Sequence, residues 1–329
     1  MKTSLVNTVT GQIPPKDLGI TLMHEHVVFG YPGWSGDCTL APYDRKAALA
    51  AALPVMEDIK ACGVRTFVDA TPNETGRDPE LLKEVSERSG INIVCATGYY
   101  YEEMGAPAYF KFRSRLGDAE KEIYDMFTAE ITHGIANTGI RAGVIKLASS
   151  KDVITDYEKM FFRAAARVQK ETGVPIITHT QDGSMGPQQA QLLIDHGADP
   201  AQIMIGHMSD NTSIQYHVEV LSKGVFDGFD RMGIQGLPGF PTDEEKYAVI
   251  LGLIGIGHED RIIISHDTIA QWLGRPYPEM PEPIKSLMAN WTPTHLCRNI
   301  IPFLKKAGVT EEQAQKILVE NPGRLFAGS

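Results

Sequence analysis

The chain has 329 residues, 43% hydrophobic and 22% charged, with a formal net charge of -10; this is the make-up of a soluble protein with a large buried core. The acidic balance and the lack of a Lys/Arg cluster argue against a nucleic-acid backbone as partner. The longest apolar run, "YAVILGLIGIG", is too short to span a bilayer, and "MKTSLVNTVTGQIPP" has no signal-peptide core, so no membrane contact and a cytoplasmic location are expected.

From the N-terminus, "LVNTVTGQIPP" reads as a small β-hairpin placed to cover the bottom of a barrel. Eight short β-rich runs follow: "GITLMHEH", "RTFVDAT", "INIVCATGYYY", "AGVIKLA", "VPIITHT", "AQIMIGH", "GVFDGFDRM" and "RIIISHD". Between them lie helix-like stretches such as "DRKAALAAALPVMEDIKAC", "DPELLKEVSERS", "DAEKEIYDMFTAEITHGI", "DYEKMFFRAAARVQKET" and "TDEEKYAVILGLIG". Several open on Asp or Thr and end near Gly, the usual capping asymmetry. Strands that alternate with helices pair in parallel through right-handed crossovers. Eight such units at this length predict a (β/α)8 TIM barrel with a short N-terminal β-hairpin, in one domain spanning 1–329. A doubly wound open sheet is the competing arrangement, but no GxGxxG follows the first strand. The tail "EEQAQKILVENPGRLF" reads as a terminal helix with its cap. Cys38, Cys62, Cys95 and Cys297 show no CxxC spacing, so neither a disulfide framework nor a zinc knuckle is expected and the thiols are read as reduced.

The chemistry starts at "MHEH". Alternate side chains of a strand share a face, so His24 and His26 point together and Glu25 points away, where pairing or capping is its default role. Lys146, His179, His207 and Asp267 stand at the ends of four further predicted strands. The C-terminal rim of such a barrel is its active-site face, so six side chains distant in sequence converge there. Four imidazoles and a carboxylate suit two divalent transition-metal ions, with Zn, Fe, Co and Mn all compatible, provided an anion bridges them. A free lysine is a cation and would repel metals. Carboxylated by CO2, Lys146 would present two anionic oxygens, one to each ion. The rival use of a strand-end lysine is Schiff-base chemistry. His207 taken alone fits a core histidine, and His266 reads as structural. His133, His196, His217, His258 and His295 fall in helix or loop contexts and are expected to be mostly solvated.

The stretches "LGITLMHEHVVFGYPG", "VDATPNETGRDP", "CATGYYYEE", "AGVIKLASS", "IITHTQDGSMGP", "IGHMSDNT", "FDRMGIQG", "SHDTIAQWLGRP" and "NPGRLF" run through nearly the whole chain, and in them the sequence resembles the phosphotriesterase-like lactonases of the amidohydrolase superfamily. The closest branch opens γ- and δ-lactones and acyl-homoserine lactones, a quorum-quenching activity. The resemblance implies a homodimer acting on a small-molecule lactone, with two metals on His24, His26, carboxylated Lys146, His179, His207 and Asp267. It also implies attack by a metal-bridging hydroxide, with Asp267 moving the proton and Tyr100 leaning toward the substrate carbonyl. The run Tyr99 to Tyr101 leaves that register open by one, so Tyr99 is a pocket candidate too. Arg231 matches a lactone-pocket arginine, and Trp272 falls in the specificity loop. Asp210 is a candidate acid standing behind the ligands. Phosphotriesterases proper carry a relay histidine where Arg231 stands, which implies weak organophosphate hydrolysis here. The alternative is a phosphotriesterase or carboxylesterase as main activity.

Overall fold

Helix caps and β-branched runs alternate along this chain, and the backbone follows them. The computed structural model describes residues 5–328; residues 1–4 and 329, the ends of the span expected as one domain and the start of the stretch read for a signal sequence, lie outside the described residues. β1 (Val6–Thr8) and β2 (Gly11–Ile13) form the expected antiparallel hairpin, with Val6 opposite Ile13. There follow β3 (Ile20–Phe29), β4 (Val64–Asp69), β5 (Asn92–Gly98), β6 (Val144–Ser149), β7 (Ile176–Thr180), β8 (Ile203–Ile205), β9 (Phe226–Phe229), β10 (Ile262–Ile264) and β11 (Ile269–Trp272). Every pairing among these nine is parallel, in the order β10-β9-β8-β7-β6-β5-β4-β3-β11.

The helices α1 (Arg45–Ala61), α2 (Pro79–Ser89), α3 (Ala108–Arg113), α4 (Ala119–Thr132), α5 (Asp156–Thr172), α6 (Gly186–Asp195), α7 (Ile214–Leu221) and α8 (Asp243–Gly255) pack outside the strands. Asp44, Asp78, Asp118, Thr155 and Thr242 accept backbone N–H groups at the starts of α1, α2, α4, α5 and α8. Each satisfies a donor that has no partner within its helix. In α1, α2, α4 and α8 these are the residues on which the helix-like stretches of the sequence open; in α5 the cap is Thr155, one residue before the Asp156 read from the sequence.

The sheet closes through an interrupted strand. "RIIISHDTIAQW" supplies both β10, paired with β9, and β11, paired with β3. Between them Asp267 takes a left-handed backbone, φ 58°, which no regular strand allows. The sequence suggested an eighth strand running through Asp267 with Trp272 in the loop beyond; the strand stops at Ile264, and Trp272 ends the further short strand β11. The β5–β6 pairing needs Gly98, whose φ is 149° and where an added Cβ would stand 1.8 Å from the Lys146 carbonyl oxygen.

Inside the barrel the lower layers hold Met23, Val68, Val94, Ile177, Met204 and Phe226, and the same cluster includes Val6 of the hairpin. After α9 (Glu282–Leu287), α10 (Ile301–Lys306) and α11 (Glu311–Gln315), the last helix α12 (Asn321–Ala327) adds Leu325 and Phe326 to that cluster. Hairpin and terminal helix thus plug the bottom and leave the opposite rim open. No helix among the described residues is long and apolar enough to cross a membrane.

Two expectations are corrected. Cys62 and Cys297 are bonded, with Cα atoms 6.0 Å apart across 235 residues, while Cys38 and Cys95 are free. Spacing along the sequence could not show the pair, because barrel closure alone brings the end of α1 against the segment before α10. His217 and His295 are buried, not solvated. Each has found a carboxylate: His217 Nδ1 lies 2.6 Å from Asp227, and His295 Nε2 lies 2.8 Å from Asp243, which offsets the cost of burying a polar ring. His133 and His196 are exposed and His258 is half-buried, and His266 is buried against Glu25 as a structural residue would be.

Candidate active site

His24, His26, Lys146, His179, His207 and Asp267 all open onto one cavity of about 140 Å3 at the C-terminal rim. They do not all stand at strand ends. Lys146 is in the middle of β6, and His24 and His26 are several residues inside the long β3, while His207 and Asp267 lie just beyond β8 and β10. His207 and Asp267 have left-handed backbones, φ 60° and 58°, a departure from preferred geometry that concentrates at working sites.

The hydrogen bonds of each ring fix which nitrogen faces the cavity. Asp230, at the end of "FDGFD", accepts from His24 Nδ1 through Oδ2 at 2.6 Å and from His207 Nδ1 through Oδ1 at 3.0 Å. The Thr71 hydroxyl donates to the Val28 carbonyl and so accepts from His26 Nδ1 at 2.8 Å. In the His24 and His207 rings Nε2 keeps its lone pair, while His26 Nε2 faces Asp267 Oδ1 at 3.0 Å. His179 is the reverse: its Nε2 donates to Gln181 Oε1 at 2.8 Å, which leaves Nδ1 as the free nitrogen. Outer partners of this kind set the tautomer of a ligating histidine. Burial lowers the His24, His179 and His207 pKa values well below the ordinary one, so these imidazoles are neutral donors.

At the centre, the Lys146 amine stands 3.0 Å from His24 Nε2 and donates to the Thr178 carbonyl at 3.1 Å. Burial pulls its pKa down, against the opposing attraction of Asp230 and Asp267. Asp267 Oδ1 is 3.0 Å from His26 Nε2 and 3.5 Å from His24 Nε2, and its Oδ2 is 3.7 Å from His207 Nε2. Burial opposes its ionisation, but the hydrogen bond from His26 and the Arg231 guanidinium outweigh burial and hold the carboxyl well below its usual range. The ligand atoms of His24, His207 and Asp267 lie within 4.8 Å of one another. Neutral imidazoles around an ionised carboxylate are the donor set of a transition-metal site.

Arg231 is a buried clamp. Its Nε donates to Asp267 Oδ2 at 3.0 Å and its Nη1 to Asp210 Oδ2 at 2.8 Å, so the acid suggested behind the ligands is tied to the centre through the guanidinium. Phe29, Tyr31, Tyr100, Phe240, Trp272 and Trp291 form the aromatic walls of the cavity, and Tyr31 stacks on Trp272 at 6.3 Å. Tyr100 is the cavity tyrosine, its ring 5.1 Å from that of His179, and burial raises its pKa well above the ordinary value, so it is a neutral hydroxyl. Tyr99 is corrected: it faces the helix layer, its ring 5.4 Å from Phe110 and 5.1 Å from Phe161, with its hydroxyl against Met126. The path of the chain after β5 sends 99 toward the helices, while 100 and 101 both turn toward the His179 ring.

Sequence reasoning missed Asp230, Thr71 and Gln181. Asp230 carried a usable signal, since it ends a strand and so belongs to the rim; Thr71 and Gln181 carried none.

The phosphotriesterase family model matches residues 4–326. A phosphotriesterase homology protein of Mycobacterium tuberculosis is 35% identical over 98% of this chain and 97% of its own. An aryldialkylphosphatase of Saccharolobus solfataricus is 36% identical over 96% and 97%. Among solved structures, a mutant of a phosphotriesterase-like lactonase from Deinococcus radiodurans superposes with a TM-score of 0.95 at 57% identity, covering 98% of this chain and 99% of that one. An organophosphorus hydrolase from the same organism gives 0.96 at 57% identity, over 98% and 97%. Identity over the full barrel, together with the site just described, means that the chain belongs to the phosphotriesterase family of hydrolases.

Proposed function

We propose that the chain is a metal-dependent lactonase in which two divalent transition-metal ions are held by His24, His26, His179, His207 and Asp267 and bridged by a carboxylated Lys146. The observation that carries this reading is that four histidines, each with one ring nitrogen taken by an outer partner, gather with one lysine and one carboxylate on a single cavity. Burial lowers the Lys146 pKa to about 7, and the neutral amine is the form that adds CO2, losing a proton to give a carbamate with two anionic oxygens. Bound there, the ions would lower the pKa of a water molecule and polarise a carbonyl.

The side chains have the remaining tasks. Asp267 Oδ1 and Oδ2 take the proton of the attacking water and return it to the ring oxygen as the acyl C–O bond breaks, yielding a hydroxy acid. Tyr100 donates its hydroxyl proton in a hydrogen bond to the oxygen that becomes negative. Arg231 holds Asp267 charged and in place. The aromatic walls shed water from a flat, uncharged ring.

A second reading, triesterase as the main activity, is favoured by the names of the Saccharolobus and Deinococcus relatives. Rates on a panel of γ- and δ-lactones, acyl-homoserine lactones, an aryl ester and paraoxon separate the two. Lactones should give kcat/KM values far above those of paraoxon; the reverse order would replace the lactonase reading with the triesterase one. Sedimentation would check the homodimer expected with this function.

A further inference from the structure

The break in the eighth strand poses an accounting problem. Residues 265–268 leave the ladder between β10 and β11, and their buried donors need acceptors. Two are met by the neighbouring strands: Asp267 N donates to the His24 carbonyl at 3.0 Å and Ser265 N to the Phe229 carbonyl at 3.0 Å, while the Thr268 carbonyl accepts from His26 N at 2.8 Å. The others converge on one fully buried side chain, Glu25, which lies between the two histidines on the opposite face of β3. Its Oε1 accepts from the Ser265 hydroxyl at 2.8 Å, from His266 N at 3.0 Å and from His266 Nδ1 at 2.7 Å. Its Oε2 accepts from Thr268 N at 2.7 Å and from the Thr268 hydroxyl.

The two backbone N–H groups bound by this carboxylate flank Asp267 on either side. The chelate fixes the 265–266 and 267–268 peptide planes, and the Asp267 N–H bond to the His24 carbonyl fixes the plane between them, so that together they set the direction of the Asp267 Cα–Cβ bond. It also settles the tautomer of His266, whose Nε2 accepts from Leu296 N at 3.0 Å, while the His266 carbonyl accepts from Trp291 Nε1 at 3.0 Å. Trp291 is part of the cavity wall. One carboxylate therefore anchors the left-handed turn that carries Asp267 and the backbone that holds an aromatic wall.

We propose that Glu25 is the positioning residue for Asp267, acting through the turn 265–268 without touching substrate. The inference rests on the metal-dependent hydrolase reading of Asp267. Glutamine at this position offers one acceptor oxygen, and its NH2 group would face donors where Oε2 now stands, so the turn would lose its clamp on one side.

The test uses cobalt-loaded full-length protein, with folding checked by circular dichroism and thermal melting. Glu25→Gln should release cobalt to a chelator about tenfold to a hundredfold faster than the parent, the range typical for loss of an outer-shell partner. On a δ-lactone it should lower kcat while KM stays near the parent value, because the turn sets the reacting carboxylate and not the ring pocket. Thr268→Val, which removes one hydroxyl donor and keeps the N–H, should show the same changes at a several-fold level. A folded Glu25→Gln that holds cobalt at the parental rate overturns the proposal. Should Glu25→Gln fail to fold, Thr268→Val decides, and parental cobalt release by that variant overturns it equally. If the parent hydrolyses none of the substrate panel, the hydrolase reading falls, and the cobalt release rates still judge Glu25.

Discussion

His24 Nδ1 and Asp230 Oδ2 meet at 2.6 Å across 206 residues of sequence, and the same carboxylate reaches His207 through its other oxygen. One acid thus orients two candidate ligands from opposite halves of the chain. Replacing Asp230 by Asn would turn one acceptor into a donor, so one of the two rings must rotate or change tautomer. Asp230→Asn should bind metal about tenfold to a hundredfold more weakly, as read by competition with a chelator. Undiminished affinity would mean that the rings are held by packing alone.

Lys146→Ala should lose both metal and activity, since the carbamate would contribute charge and geometry but no bond to substrate. A small carboxylate such as acetate then supplies the missing oxygens and should partly restore both. Metal analysis with and without acetate checks this. Full metal content in Lys146→Ala would make the lysine a structural residue.

The neighbouring tyrosines should separate cleanly. Tyr100→Phe should lower lactonase kcat by about tenfold to a thousandfold, as when one oxyanion donor is lost, with little change in KM. Tyr100→Leu should cost lactonase rate while leaving paraoxon turnover unchanged or raised, because a tetrahedral phosphoryl centre needs the room. Tyr99→Ala should instead destabilise the fold by about 3 kcal/mol, as large-to-small changes among packed rings do. Steady-state kinetics and urea melts on the three variants distinguish these outcomes; parallel loss of both activities in the Tyr100 variants would make that ring a scaffold.

Glu74 offers a pH signature away from the metal ligands. Its Oε1 accepts the Tyr100 N–H at 2.6 Å, its Oε2 is buried without a hydrogen-bond partner, and burial pushes the carboxyl from 4.5 up to about 7. The folded state then binds this proton more tightly than the unfolded one. The stabilisation is complete below the unfolded value and disappears as pH rises through about 7. It amounts to about 3 kcal/mol at most. Glu74→Gln is blind to this titration, so between pH 5 and 8 the parent should lose urea stability relative to the variant. Midpoints that move in parallel would remove the assignment.

How much of this was legible in the sequence depends on whether one strand sufficed to see it. The HxH pair, Lys146 and His179 sit on regular strands, where alternation fixes facing. Asp267 was legible as a rim residue, but the left-handed turn beneath it was not, because the donors of Ser265, His266 and Thr268 are met by Glu25, at least 240 residues away. The burial of His217 and His295 escaped notice for a related reason: neither "YHVEV" nor "PTHLC" hints at the acid that receives its ring. Tyr99 and Tyr100 are chemically identical in sequence, and only the path of the chain after Gly98 assigns one to the helices and the other to the cavity.

The plug at the bottom of the barrel bears on how the protein can be handled. Val6 and Phe326 share one apolar cluster, so the two ends of the described chain emerge side by side on the face opposite the cavity mouth. A surface tether, affinity handle or fused partner attached at either end would leave the reactive rim pointing into solution. The same adjacency suits a short linker that joins the two ends of the described chain, with new ends opened in an exposed rim loop.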